Sequence, residues 1–333
     1  MKPKAFFGIA IVLVLAAVPL CAIAGDVKPI VMKMDGTGPF ESIDGQMIRE
    51  FGRIVGERTG GKIKIQNFHG GALAGGSQTT LTQMVQSGAV EAALIASPVL
   101  SNLVPEAILI SLPFFYKDID HVTKVINGEP GRKMDPKFQA QGIRILQWAP
   151  RTPRQLTNSK RLVKTPEDMI GLKIRVLDSA LHVDTLKALG AQPAPMPWGE
   201  VLTALQLGTL DAQENPVDVL VTGKLYEVQK YATLWDYSYD ALVMIMNEKL
   251  YQSLGPDLQK ILLTAANDTR LFQRKLIDEF AISAVKTLRD KGMQVYQLNE
   301  NEKKAFEKKV EPVVEKYIPQ VGAEAVKQAR GMR

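Results

Sequence analysis

Thr165-Pro166-Glu167-Asp168-Met169-Ile170-Gly171-Leu172-Lys173-Ile174-Arg175-Val176 sets a helix start directly before a short strand. Thr165 is a hydroxyl cap, Pro166 suits a first turn, and Glu167 and Asp168 face the positive helix end. In residues 173–176, Ile174 and Val176 point one way, Lys173 and Arg175 the other. Downstream, Leu181, Leu186 and Leu189 mark a helix closed by Gly190. Residues 195–200 turn into a further helix with Val201, Leu202 and Leu205, stopped by Gly208. Residues 210–213 read as a strand leading into Glu214-Asn215-Pro216. Strand–helix alternation of this kind builds a largely parallel sheet covered by helices.

The same alternation runs upstream. Residues 26–34 read as a strand and residues 35–39 as a loop. Ile43, Met47, Phe51, Ile54 and Val55 share a helical face that Gly60-Gly61 ends. Residues 62–66 alternate as a half-buried strand, and Ser77 caps a helix with Leu81, Met84 and Val85 before Gly88. Residues 90–95 form an apolar strand, and another helix-and-strand unit runs to residues 143–148. Residues 241–246 are wholly apolar, as in a buried central strand. One apolar stripe then continues from Leu258 to Leu288 with no Gly or Pro between Asp257 and Asp290. At 1.5 Å per residue that helix is on the order of 50 Å long, enough to lie across two domains. A coiled coil is the competing reading, but the stripe drifts from strict heptads. Gly292 ends the helix; a short strand at 294–296 and a last helix with Phe306, Val310, Val313 and Tyr317 follow. The expected fold is α/β, with two α/β domains and a cleft between them. Domain I takes 25–150 plus about 240–279; domain II takes 151–239 plus about 280–333.

Composition restricts the function classes. The chain has 333 residues, 46% apolar and 23% charged, which is ordinary for a globular protein. A formal charge of +6, with no Lys/Arg block interleaved with aromatics, gives no footprint for nucleic acid. Lys2 and Lys4 precede an uncharged, mostly apolar run to Ala24 that ends in Ala22-Ile23-Ala24. This reads as a secretory signal over 1–24, cleaved before Gly25, and places the mature protein in the periplasm. A retained anchor would use the same run, but Pro19 and the small-residue exit disfavour it. Lipidation at Cys21 is disfavoured by the bulk of Leu20. Removal of the leader lowers the formal charge to +4 and takes away Cys21, the single cysteine. No disulfide framework or thiolate metal site is then possible.

Enzyme motifs are missing. There is no Gly-x-Ser-x-Gly elbow, no His-Glu-x-x-His and no phosphate-binding Gly-x-x-x-x-Gly-Lys loop. His69, His121 and His182 are scattered and read as surface or packing residues. Gly70-Gly71-Ala72-Leu73-Ala74-Gly75-Gly76 lacks dinucleotide spacing and reads as a turn that can line a ligand cleft. No cofactor or metal is expected.

Positive signals concentrate after Arg151. They are Arg151-Thr152-Pro153-Arg154-Gln155-Leu156-Thr157-Asn158, the 165–176 stretch, and Leu189-Gly190-Ala191-Gln192-Pro193-Ala194-Pro195-Met196-Pro197-Trp198-Gly199-Glu200-Val201. Ala204-Leu205-Gln206-Leu207-Gly208-Thr209-Leu210-Asp211-Ala212-Gln213-Glu214-Asn215-Pro216 and Tyr226-Glu227-Val228-Gln229-Lys230-Tyr231 follow. Together with Leu112-Pro113-Phe114-Phe115 and residues 71–94, this series closely resembles the solute-binding subunits of tripartite ATP-independent periplasmic (TRAP) transporters, the dicarboxylate-binding type. The resemblance covers nearly the whole mature chain and is most specific over 165–215.

It implies a hinge-closing, non-enzymatic receptor, expected as a monomer, that holds a small carboxylate and delivers it to integral membrane permease subunits. It implies that Arg175 is the carboxylate clamp, that Arg154 assists, that Asn215 contacts the same carboxylate, and that Trp198 packs on the ligand. Trp198 stands where phenylalanine is more common in the family, and Tyr237 roughly where a histidine is frequent. Closure is expected to bring residues 35–40, Gln78 and Ser97 against that group, with Asp178 near Arg175 to accept a ligand hydroxyl or balance charge.

The residues support part of this unaided. Guanidinium is planar, permanently charged and offers paired donors that match a carboxylate. An amide such as that of Asn215 can donate to the other side of the same oxygen, and an indole can exclude water from the ion pair. Read singly, each residue has a plainer account. Arg175 can pair with Asp178, Arg154 can sit on a solvated face beside Arg151, Lys160 and Arg161, Trp198 can be core, and Asn215 before Pro216 can be a turn. A ligand-sensing module, or an enzyme acting on an organic acid, are the functional alternatives. The solute itself is open between dicarboxylate, keto acid, sugar acid and aromatic acid.

Overall fold

The computed structural model describes residues 29–332. The expected leader over 1–24, Cys21 and the opening of the strand expected at 26–34 lie outside the described residues. Strands β1 (Ile30–Gly36), β2 (Ile63–Asn67), β3 (Ala92–Ala96), β4 (Ile143–Pro150), β5 (Arg154–Asn158) and β6 (Lys173–Val176) come first in the chain. Strands β7 (Gln192–Pro195), β8 (Ala212–Pro216), β9 (Tyr231–Leu234), β10 (Ala241–Asn247) and β11 (Gln294–Gln297) follow. They form two sheets, ordered β2-β1-β3-β10-β4 and β11-β9-β5-β8-β6-β7.

Each sheet contains one reversed strand, and it is the strand by which the chain arrives. The chain leaves β4 through residues 151–153 and enters the second sheet as β5, antiparallel to both β8 and β9. It returns as β10, antiparallel to both β3 and β4. These two crossings join the sheets. All of β10 is buried because both its faces are covered. Val243 and Ile245 pack into one core, while Leu242, Met244 and Met246 pack into the core on the opposite face. That is the period-2 alternation of a central strand.

Local chemistry sets the helix ends. Ser42 caps the helix Ile43–Arg58 by accepting from Gly45 N, and Ser77 caps Gln78–Ser87 by accepting from Thr80 N. Gly88, at φ 79°, closes the second of these in a left-handed conformation. The Thr165 start yields only the 3-10 turn Pro166–Met169, held by reciprocal bonding of Thr165 and Asp168, because Gly171 follows at φ 76°.

The helix Pro256–Asp290 spans 35 residues. Leu262, Ala265, Ala266 and Ile277 bury against the first sheet's core, and Ala284 and Leu288 against the second's. Where it crosses, Gln273 donates to the Pro150 carbonyl at the end of β4, at 2.9 Å. The helix Glu300–Val321 also passes between cores: Phe306 and Val310 pack with the second sheet, Val313, Tyr317 and Val321 with the first. Val326 and Ala329, in the helix Ala323–Gly331, stay with the first.

Strands β5 and β9 lie outside the sequence reading, and two further strands differ from it. Strand β8 extends through Pro216, so Glu214 and Asn215 are strand residues rather than a turn. Strand β7 was not expected at all; its Pro193 and Pro195 lack N–H donors, and it is tolerated because it lies at the edge of its sheet.

Candidate functional site

Strand β6 places Arg175. Ile174 and Val176 are fully buried in the second sheet's core, and Arg175 projects from the other face. Its side chain lines two adjoining cavities, which also share Gln78, Leu177 and Trp198. The first cavity takes its wall from both sides of the molecule: Thr37, Gly38 and Pro39 after β1, and Asn215 in β8 with Asp218 and Thr222 after it.

Arg175 is 3% exposed. Nε and Nη2 donate to the carbonyl oxygen of Met196 at 3.0 and 2.8 Å. The Trp198 ring centroid lies 5.6 Å from the guanidinium carbon. Among the described residues no carboxylate pairs with Arg175. The salt bridge to Asp178 that the sequence permits is not formed; the Asp178 carboxylate is exposed and instead accepts from the Thr79 hydroxyl at 2.8 Å. Burial pushes Arg175 down to about 10, the neighbouring Arg154 adds to the fall, and Glu214 partly offsets it. A buried cation that lacks a counter-ion is a site prepared for an anion.

Arg154 is not on a solvated face. It is 1% exposed and its donors are engaged. It bonds the Glu214 carboxylate through Nε and Nη2, Asp240 through Nη1, and the Glu214 carbonyl and Asn215 Oδ1 through Nη2. Burial opposes its charge, but Glu214 and Asp240 more than compensate and raise its pKa. Arg154 lines the first cavity, yet its main visible work is to hold Glu214 and the Asn215 amide in place. Asn215 also lines that cavity, 6% exposed, with Nδ2 donating to Gln213 Oε1.

Two expected contacts are corrected. Tyr237 does not line either cavity. It is buried in an aromatic group with Trp235 and Phe114, and its hydroxyl donates to Glu214 Oε2 at 2.7 Å. Ser97 is fully buried, and its Oγ accepts from Ala241 N at 3.0 Å. It ties β10 to the end of β3, and Ala96 is the residue that reaches the cavity instead. Gln78 lines both cavities; its amide oxygen accepts from Ala96 N and its Nε2 donates to Thr37 Oγ1.

Three charged residues of the first cavity were missed. Arg151 is 5% exposed and donates to Asp218 Oδ2 at 2.9 Å. Asp44 is 7% and Asp218 2% exposed. Burial raises the Asp44 carboxyl, against the pull of Arg151. Asp44 and Asp218 each stand in the first turn of a helix, where an acid ordinarily serves the helix dipole, so position alone does not single them out. Arg151, three residues before Arg154 at the crossing, was the available signal.

The two sides touch across the cleft. Besides Thr79–Asp178, Asn102 Nδ2 donates to the Asp178 carbonyl at 2.9 Å. The glycine-rich loop takes part: a methyl group built on Gly76 falls 2.7 Å from the backbone nitrogen of Gly199. Of the histidines, His182 and His121 are buried and His69 is partly buried. Among the described residues no group of three or more His, Cys, Asp or Glu side chains is arranged to hold a metal ion. No described helix is long and apolar enough to cross a membrane.

Residues 37–320 match the model of bacterial extracellular solute-binding protein, family 7 (DctP). A solute-binding protein of Verminephrobacter eiseniae is 35% identical over 87% of this chain and 85% of its own. The 2,3-diketo-L-gulonate-binding periplasmic protein of Escherichia coli is 31% identical over 84% and 85%. The crystal structure of a TRAP periplasmic solute-binding protein from Polaromonas bound to D-erythronate superposes with TM-score 0.87 at 31% identity, covering 90% of this chain and 98% of the other. The sugar-acid-binding protein of Advenella mimigardefordensis in complex with galactonate gives 0.88 at 30% identity, covering 92% and 98%.

Proposed function

Because the chain belongs to the bacterial extracellular solute-binding proteins of family 7, the receptors of TRAP transporters, we propose that it captures an organic acid in the periplasm through a carboxylate held on Arg175. Delivery of the acid to integral membrane permease subunits follows in this reading. The protein is a solute-binding protein, not an enzyme, as its family and structural relatives are.

The observation that carries the proposal is the buried, counter-ion-free guanidinium of Arg175 at the wall shared by two cavities. A ligand carboxylate supplies the missing charge, and its paired oxygens suit the fork that Met196 orients. Asn215 offers amide donor capacity beside it, Trp198 covers the ligand body, and Arg154 positions Asn215. Gln78 and Asp178 serve closure, Gln78 by bracing the first-sheet wall and Asp178 by latching to Thr79. In the same reading the hinge-bending units are 29–150 with about 240–279, and 151–239 with 280 to about 310. The rest of the C-terminal segment rides on the first unit, as the packing of Val313 to Ala329 favours.

A thermal-shift screen of organic acids tests the proposal, since a ligand of the native state stabilises by RT ln(1 + [L]/Kd). At a hundredfold excess over Kd that is about 2.7 kcal/mol, several degrees of melting temperature. A panel in which no acid raises the melting temperature sinks it.

A further inference from the structure

Resting on that reading, we infer that the cleft selects a hydroxylated acid with a single carboxylate, and that Asp44 and Asp218 set this selectivity. The charge inventory of the first cavity is decisive. Three arginines line it. Arg154 is committed to Glu214 and Asp240; Arg151 pairs with Asp218 through Nη2, while its Nε, 3.9 Å from Asp240 Oδ1, has no hydrogen-bond partner. Only Arg175 has no carboxylate partner among the described residues. One uncommitted cation neutralises one ligand carboxylate.

Asp44 and Asp218 line the first cavity and not the second, whereas Arg175 lines both. A ligand anchored on Arg175 and extending into the first cavity therefore carries its other end toward two buried acids. A second carboxylate placed there meets like charge in a low-dielectric site, with Arg151 already shared between the acids. A hydroxyl meets the opposite situation. Asp218 Oδ1 is buried with no hydrogen-bond partner. No other described residue donates a hydrogen bond to the Asp44 carboxylate. Asp218 Oδ1 lacks a donor and the Asp44 carboxylate has only its own backbone N–H, so both can accept from an alcohol O–H, a donor without charge.

The test is calorimetry on the mature protein with acids of matched length: erythronate, succinate and butyrate, with galactonate as a longer hydroxy acid. The inference expects a hydroxy acid to bind at least tenfold more tightly than succinate or butyrate. Asp44→Asn and Asp218→Asn, each checked for an unaltered melt without ligand, are expected to cut the preference over succinate at least fivefold. The wild-type ratio stands as a test by itself if either variant fails to fold. Succinate binding as tightly as the hydroxy acids, or variants that leave the ratio unchanged, overturns the inference while the carboxylate-receptor reading survives. Failure of all four acids to bind overturns both.

Discussion

Arg175 gives two of its donors to the carbonyl oxygen of Met196, from Nε at 3.0 Å and Nη2 at 2.8 Å, and none to a carboxylate. The acceptor is itself fixed, because Met196 N donates back to the Val176 carbonyl at 3.2 Å. Two bonds to one fixed acceptor thus set the guanidinium plane, and no described residue accepts from its Nη1. Preorganisation of this kind lowers the entropy lost on binding.

The planar fork is what Arg175→Lys removes. A lysine ammonium can bond the Met196 carbonyl or a ligand oxygen as a point charge, without paired geometry. We expect the variant to bind the preferred acid at least tenfold more weakly while melting, without ligand, within a few degrees of wild type. Titration of the two proteins side by side checks this, and equal affinities would count against bidentate recognition.

Gly76 faces Gly199 across the cleft at a distance that leaves no room for a Cβ, and its φ is +79°. Gly76→Ala forces backbone against backbone, so closure must stop short. The expected result is a more than tenfold loss of affinity together with a smaller compaction on ligand addition in solution scattering. Wild-type compaction in the variant would show that the loops do not meet in the bound state.

The Thr79–Asp178 bond spans the same gap near its solvent edge. Its loss in Thr79→Val removes one exposed hydrogen bond, worth about 0.5–1.5 kcal/mol. Affinity should fall roughly two- to tenfold, chiefly through faster dissociation. Stopped-flow release rates test this; an unchanged off-rate means that the pair does not hold the closed form.

Much of the architecture was legible because its signals are local. Ser77 capped its helix, Gly88 ended it, and the apolar run at 241–246 lies within the central strand. Strand β5 was not legible: Arg154, Gln155, Thr157 and Asn158 are polar yet buried, and partners far along the chain satisfy them. Gln155 reaches Asp236, and Thr157 reaches Gln213 and Gln229. The site divides in the same way. The alternation of β6 placed Arg175, whereas Tyr237 and Ser97 are turned to structural bonds that only tertiary contacts reveal. Asp44 and Asp218 looked like ordinary helix-start acids until the fold brought them to one cavity.

His182 gives the protein a pH dependence. Burial pushes its pKa down to about 3; Arg154 and Arg175 add to the fall and Asp240 opposes it. The unfolded chain takes up a proton near pH 6.5 and the native chain does not. Stability from this group is therefore complete above about pH 6.5 and is lost as pH falls toward 3, by up to roughly 1.4 kcal/mol per unit. His182→Asn, which can keep the bond that Nδ1 makes with Ser179 Oγ, should flatten the decline in melting temperature between pH 6.5 and 5. Parallel curves for the two proteins would show that another group controls the acid limb.

The clamp itself is tested most directly by calorimetric titration of wild type and Arg175→Ala with the acid that gives the largest thermal shift. Truncating one partner of a buried charge pair costs about 2–5 kcal/mol. The expected outcome is an affinity loss of roughly 30-fold or more, with the ligand-free melt preserved. A change of less than about fivefold, with the fold intact, would contradict the assignment of the ligand carboxylate to Arg175.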